Sequence, residues 1–158
     1  RANGGRIFNI YTYTNKATGQ GEWAKSVHSD ATNNGTVAKE NACNGEILIL
    51  PAIRKADGKQ VNIALQSVPL GPDRTNVGIY YKGLENPLDY NTPEKFAANW
   101  EGHVQISNMS SAYSTMVSQA DQRIGVFFEE LTYGAGYSMV YDAYTLDQLT
   151  DNKYKWVP

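Results

Sequence analysis

Few histidine and cysteine side chains are present in this sequence to act as acids, bases or metal ligands. The chain has a single cysteine, Cys43, and two histidines, His28 and His103, which lie far apart. Acid–base catalysis by histidine and zinc binding by histidine and cysteine both need partners at suitable spacing. Neither histidine has an acidic partner at such a spacing, and one cysteine can form neither an internal disulfide nor a paired zinc motif. We therefore expect a small buried thiol and two surface or packed histidines.

Phenols and guanidinium groups are the other reactive groups, and the chain has 11 tyrosines. A phenol, with a pKa of about 10, becomes a useful nucleophile only when a neighbouring carboxylate takes its proton. A planar guanidinium binds a carboxylate through two hydrogen bonds in a fixed orientation. Which tyrosine and which arginines matter depends on the segments that carry them.

Composition limits the class of protein. The chain has 158 residues, 41% of them hydrophobic, and a formal net charge of -2. This length suits one domain with a substantial core, and the charge offers no basic stripe for nucleic acid. The longest apolar run, residues 47–53, contains Pro51 and is far short of the roughly 20 residues that cross a bilayer. We expect no nucleic-acid partner, no transmembrane segment and no signal peptide within this chain.

The elements that would position a site are strands. Eleven tyrosines, three tryptophans and 14 glycines occur with few Ala, Leu, Glu and Lys residues at helical spacing. Runs rich in β-branched and aromatic residues, bounded by turn residues, predict strands over residues 6–14, 46–53, 60–67, 76–82, 114–118, 123–129 and 137–144.

Turn residues join several of these strands into hairpins. An Asp-Gly loop over residues 55–59 gives the clearest hairpin, and a polar turn over 119–122 gives another. Short helical turns are predicted at Thr92, with Pro93 in the first helical position, and over residues 145–149. Short strands at regular spacing are typical of a sandwich, a barrel or the blades of a propeller.

Three segments then point to a family. The sequence SAYSTM (111–116) lies just before the strand pair that ends in RIGVFFEE (123–130). This pairing resembles the final blades of bacterial exo-sialidases, where a Ser-Ala-Tyr-Ser segment presents the catalytic tyrosine and the following strand closes the site. The segment SVPLGPDRTNVGI (67–79) looks like the one that carries the third arginine of the family's arginine triad. The segment RANGG (1–5) looks like the place where the second arginine of that triad lies.

The resemblance covers essentially the whole chain and is closest to sialidases of gut Bacteroidetes. It implies an all-β fold of consecutive antiparallel sheets, roughly the C-terminal half of a six-bladed β-propeller. At about 40 to 50 residues a blade, six blades need about 240 to 300 residues, so residues 1–158 would be one partial propeller domain.

The resemblance also implies roles for particular residues. Tyr113 would be the nucleophile, and Arg1 and Arg74 would bind the substrate carboxylate. Glu129 would support the first arginine of the triad, with Glu130 as the alternative in register. The base for the tyrosine, the first arginine and the acid/base aspartate would all lie upstream of Arg1. No metal or organic cofactor is implied.

The implied reaction is retaining hydrolysis of terminal sialic acids. Sialic acid carries an ionised carboxylate on its anomeric carbon, which would repel a carboxylate nucleophile, whereas a neutral tyrosine avoids this. Sialidases with a tyrosine nucleophile depart in this way from the usual glycosidase scheme of two carboxylates. Without the upstream groups, we expect the chain alone to lack catalysis or to be severely impaired.

The implied partners are sialylated glycans or glycoproteins. An open set of blades leaves unpaired strand edges and an exposed inner face, so we also expect the N-terminal part of the same propeller, or another copy of the chain, as a partner. A periplasmic, cell-surface or secreted bacterial location is expected. Two alternatives stay open: a sialic-acid-binding or inactive propeller module, and a purely structural β domain.

The tryptophans offer a further, weaker pattern. Trp23, Trp100 and Trp156 each follow a strand and a polar loop, and the order from Thr12 to Trp23 resembles a degenerate sialidase Asp-box. In the alternative, each tryptophan is an isolated core or edge aromatic.

Overall fold

The computed structural model describes residues 4–132 and 136–157. Over these residues the chain is all-β, with 52% strand and 10% helix. The strands are β1 (Gly4–Phe8), β2 (Tyr11–Asn15), β3 (Gln20–Trp23), β4 (Val27–Ser29), β5 (Val37–Ala38), β6 (Ile47–Arg54), β7 (Gln60–Pro69), β8 (Val77–Leu84), β9 (Gly102–Gln105), β10 (Ser111–Ser118), β11 (Arg123–Glu130), β12 (Ser138–Thr145) and β13 (Tyr154–Trp156). The described residues also form two short α-helices, α1 (Pro93–Ala97) and α2 (Leu146–Leu149), and two 3-10 helical turns, Ala31–Asn33 and Pro87–Asp89. None of the described helices has the length and apolarity needed to cross a bilayer.

The described strands form four sheets, and every pairing between them is antiparallel. The largest sheet has the order β13-β6-β7-β8-β9, and the C-terminal strand therefore returns to pair with β6. The other sheets are β10-β11-β12, β4-β1-β5 and the two-stranded β2-β3 hairpin.

Both predicted hairpins are confirmed. Strands β6 and β7 pair from Ile47 opposite Gln66 to Ile53 opposite Gln60, around the Asp-Gly loop. Strands β10 and β11 pair around the polar turn, and β12 extends that sheet. The two helical turns are also confirmed, because Thr92 and Thr145 cap α1 and α2 by accepting backbone N–H bonds at the third helical positions.

The single strand predicted over residues 6–14 is wrong. The chain leaves one sheet after Phe8 and enters another at Tyr11. Between them, the Asn9 side-chain oxygen accepts the backbone N–H of Ile10 at 2.8 Å, an interaction that competes with ladder pairing. β1 therefore pairs with β4 and β5, whereas β2 pairs only with β3.

The five-stranded sheet is covered on both faces. Successive β7 side chains point to opposite faces, so Ile63 and Leu65 join one core cluster while Ala64 and Val68 join the other. The first cluster continues into β10, β11 and α2, and the second into β1 and α1. The β10-β11-β12 sheet and the β4-β1-β5 sheet thus lie on opposite sides of the central sheet.

A buried hydroxyl gives a first test of this packing. The Tyr154 hydroxyl donates to Glu101 Oε1 at 2.7 Å, and the same oxygen accepts the Gly83 N–H at 2.7 Å. Burial raises the pKa of Tyr154, which stays a neutral donor. We expect Tyr154→Phe to lower the free energy of unfolding by about 1 kcal/mol, measured by urea denaturation, because this hydrogen bond is lost.

Tyr13→Phe is the matched control for Tyr154→Phe, since Tyr13 is exposed on β2. Its effect should stay within about 0.5 kcal/mol. Equal effects of the two substitutions would show that the bond between Tyr154 and Glu101 adds nothing to stability.

Candidate functional site

The predicted site segments meet where several strands begin or end. Ser114, near the start of β10, donates its hydroxyl to that of Ser67, near the end of β7, at 2.9 Å. The backbone N–H of Ser111 donates to the carbonyl oxygen of Arg74 at 2.8 Å. The segment that carries Arg74 is therefore attached to the segment that carries Tyr113, although they belong to different sheets.

Tyr113 lies in a β-bulge. Ser111 pairs with Glu130 and Ser114 with Phe128, so Ala112 and Tyr113 both stand opposite Glu129. A bulge leaves one residue unpaired and redirects its side chain. Here the Glu129 carboxylate accepts the backbone N–H of Tyr113 at 3.2 Å, and the Tyr113 side chain is 46% exposed. The bulge thus presents the phenol to solvent.

Arg74 lies against this phenol. Its guanidinium carbon is 5.8 Å from the centroid of the Tyr113 ring, within the range of a cation–π contact. The negative charge that Cys43 and then Tyr113 can carry raises the pKa of Arg74. Within the described residues Arg74 makes no salt bridge, so its guanidinium is free to bind an anion.

Two asparagine amides fix the loop before and after Arg74. Asn41 donates its amide to the carbonyl oxygens of Pro69 and Asp73 at 3.1 and 2.8 Å. Asn76 donates to the carbonyl oxygen of Gly71 at 2.7 Å. The Arg74 backbone is therefore held on both sides, while its side chain contacts the Tyr113 ring and forms no salt bridge with any described residue.

The two adjacent glutamates have different partners. Glu130 accepts hydroxyl hydrogen bonds from Ser107 at 2.6 Å and Thr132 at 2.7 Å. Glu129 instead bonds the backbone of Tyr113. Of the two register alternatives, Glu129 is the glutamate beside Tyr113.

Arg1 lies outside the described residues. A second arginine that the sequence did not single out, Arg6, lines a cavity together with Cys43. Arg6, on β1, is partly buried, and burial lowers its pKa. Among the described residues, its Nη1 donates only to the neighbouring Gly5 carbonyl at 3.2 Å. The sequence offered no signal for this role, since Arg6 only begins the predicted strand over residues 6–14.

Cys43 lies near all of these charges. It is buried, as expected, and burial raises its pKa, while Arg74 and Arg6 act to lower it and Glu129 to raise it. Arg74 lines a cavity of about 870 Å³, and Arg6 and Cys43 line another of about 450 Å³. Ala42 lines both, so the two cavities are neighbours.

The remaining residues fit ordinary structural roles. His28 and His103 are exposed, and the His103 ring packs 4.7 Å from the Tyr80 ring. Trp23 is exposed on the β2-β3 hairpin, whereas Trp100 is buried in the second core cluster. These unlike environments match the alternative in which each tryptophan is an isolated core or edge aromatic.

No protein-family model matches the chain, and a search of curated proteins gives no match. Support for a function therefore comes from the residues themselves. The described residues bring together an exposed phenol, an unpaired guanidinium and a carboxylate, on an all-β scaffold of antiparallel sheets.

Proposed function

We propose that this chain forms part of the active site of a retaining exo-α-sialidase. The observation that carries the proposal is the contact between Arg74 and the exposed Tyr113 ring. The Glu129 carboxylate accepts the backbone N–H of the same tyrosine. Arg74 would bind the carboxylate of a terminal sialic acid, and Tyr113 would attack its anomeric carbon. Arg1 would be a second carboxylate-binding arginine.

The proposed chemistry has two steps. The Tyr113 oxygen forms a bond to the anomeric carbon while the bond from that carbon to the leaving glycan oxygen breaks. Water then replaces the tyrosine, which gives free sialic acid with retained configuration. The phenolic proton must pass to a base, and the leaving oxygen must receive a proton from an acid, both expected from the upstream part of the protein.

The packing of the sheets supports a partial propeller. The β10-β11-β12 sheet packs one face on the central sheet, as neighbouring blades do. Its other face leaves four apolar side chains between 40% and 55% exposed: Val117, Phe127, Met139 and Tyr141. Such a face favours a covering partner, either the N-terminal part of a six-bladed propeller or another copy of this chain.

Substitution of Arg74 should weaken binding of a sialoside. We expect Arg74→Gln to raise the dissociation constant about tenfold to a hundredfold, because a charge-assisted bidentate interaction is lost. Arg123→Gln is the control, since Arg123 is an exposed arginine paired with Asp121. Calorimetric titration with sialyllactose gives the dissociation constant of each variant. Equal dissociation constants for the two variants would contradict carboxylate binding by Arg74.

Hydrolysis of a fluorogenic α-sialoside tests the whole proposal. The assay compares this chain, the chain mixed with the upstream part of its protein, and the reconstituted protein carrying Tyr113→Phe. Turnover that appears on reconstitution and disappears with the substitution supports the sialidase. Absence of both binding and turnover in the reconstituted protein would overturn it and favour a structural β domain.

One observation favours a second candidate, a sialic-acid-binding module without turnover. Among the described residues, no carboxylate hydrogen-bonds the Tyr113 hydroxyl, since Glu129 bonds the backbone instead. Binding without turnover in the reconstituted protein would support this module. We expect a sialidase or a sialic-acid-binding module at the bacterial surface, in the periplasm or in the medium, where it would encounter sialylated glycans.

A further inference from the structure

The cavity lined by Arg6, Cys43 and Gln66 contains buried polar atoms that lack partners. Within residues 4–132 and 136–157, Nε and Nη2 of Arg6 and Oε1 of Gln66 are buried and make no hydrogen bond. Buried polar groups in native proteins are nearly always paired, and each exception needs a physical explanation. All three atoms belong to residues that line the same cavity of about 450 Å³.

Gln66 is unusual for its position. On β7 it falls between Ala64 and Val68, on the face that joins the second core cluster. It is only 4% exposed, and its Nε2 makes one long bond, to the Ser67 carbonyl at 3.4 Å. An amide in this apolar row is unfavourable unless its oxygen is paired. A ligand that donates an N–H or O–H would supply that pair.

Arg6 presents the complementary group. Its Nη1 is used by the Gly5 carbonyl, so Nε and Nη2 remain as one free edge of the guanidinium. Two parallel N–H donors on such an edge match a carboxylate or a sulfate. The burial that lowers the pKa of Arg6 also strengthens its attraction for an anion.

We propose that this cavity is a binding site for a carboxylate-bearing sugar. The carboxylate binds the Nε and Nη2 edge of Arg6, and a sugar hydroxyl or amide N–H donates to Gln66 Oε1. The cavity volume lies within the range of about 300 to 1,000 Å³ that is usual for small-molecule sites. The cavity adjoins that of Arg74, since Ala42 lines both, but none of the three unpaired atoms belongs to Tyr113 or Arg74, and the proposal does not depend on the proposed hydrolysis.

Calorimetric titration with D-glucuronate tests the site. Methyl glucoside is the neutral control ligand, and inorganic sulfate is the anion without a sugar. The titrations use the chain carrying Arg74→Gln, so that carboxylate binding at Arg74 does not contribute. We expect saturable glucuronate binding that Arg6→Gln weakens about tenfold to a hundredfold and Gln66→Leu about tenfold. Arg123→Gln, at an exposed ion pair, should leave the affinity unchanged.

A second measurement needs no substitution and therefore does not depend on how well the variants fold. In the unsubstituted ¹⁵N-labelled chain, glucuronate should shift the NMR signals of the Arg6 Nε–H and the Gln66 side-chain amide. If neither signal moves at saturating glucuronate, the proposal is wrong. If sulfate binds as tightly as glucuronate and Gln66→Leu has no effect, the cavity binds simple anions and the assignment to a sugar is wrong. Neither measurement involves turnover. Failure of this proposal can therefore be distinguished from failure of the sialidase proposal.

Discussion

Replacing Tyr113 by phenylalanine should lower kcat of the reconstituted protein on an α-sialoside by on the order of 10³-fold or more. The substitution removes only the hydroxyl oxygen that would attack the anomeric carbon. The cation–π contact of Arg74 is with the Tyr113 ring, which phenylalanine keeps. Sialoside binding should therefore change much less than turnover, which steady-state kinetics and calorimetry can separate.

Stability offers the internal control for this prediction. The Tyr113 side chain is half exposed, and the bulge is held by its backbone N–H, which the substitution does not alter. We expect Tyr113→Phe to change the free energy of unfolding by less than about 0.5 kcal/mol. Tyr13→Phe, on the distant exposed hairpin, should leave both kcat and stability unchanged. If Tyr113→Phe retained turnover within tenfold of the parent protein, Tyr113 would not be the nucleophile.

The position of Tyr113 shows what the sequence could predict and what it could not. Local pattern was enough for its hairpin, because the two strands are joined by a short polar turn and each is rich in β-forming residues. The bulge was not predictable, since it adds one residue to one strand only, between Ser111 and Ser114, and the residue types there do not show where the extra residue falls. The bulge nevertheless decides which glutamate lies beside Tyr113.

The same limit explains the error at the start of the chain. Residues 6–14 have the composition of one continuous strand, but β1 and β2 belong to different sheets. Composition shows that a segment can form a strand, but which strand it pairs with depends on how its side chains pack. Here Phe8 of β1 packs in the second core cluster. Arg6 was missed for a related reason, because an arginine beside apolar residues looks the same in sequence whether it faces solvent or a cavity.

Replacing Lys82 by methionine should destabilise the chain by about 3 kcal/mol, the largest stability effect that we expect. Lys82 is only 5% exposed and lies on β8 between Tyr80 and Leu84, on the face of the second core cluster. Its ammonium group donates to the carbonyl oxygens of Lys95 at 2.6 Å and Phe96 at 3.4 Å. It also donates to the carbonyl oxygen of Ala98, which is the residue that caps the end of α1.

These carbonyl oxygens explain the size of the effect. The last carbonyls of a helix have no partner within the helix, and a cation near them is favourable. Methionine has a similar length and no donor, so the carbonyls of Lys95 and Ala98 would lose this partner, while that of Phe96 would keep the N–H of the Trp100 ring at 3.1 Å. Lys95→Met is the matched control, because Lys95 lies on the same helix with its side chain exposed. Urea unfolding of both variants should show a lower free energy of unfolding for Lys82→Met alone. An equal decrease in both variants would contradict the role of Lys82 in capping α1.

The dependence of stability on pH gives an independent check on Lys82. Burial lowers its pKa in the folded protein from the ordinary value of 10.5, so the unfolded chain binds this proton more tightly than the folded chain does. Stability rises with pH wherever the unfolded state binds more protons. The contribution of Lys82 should therefore increase as the pH rises from its folded pKa towards 10.5. The difference in unfolding free energy between parent and Lys82→Met should widen over that interval, whereas Lys95→Met should follow the parent. A difference that narrows as the pH rises would mean that the bonds to the three carbonyls outweigh burial and hold Lys82 charged.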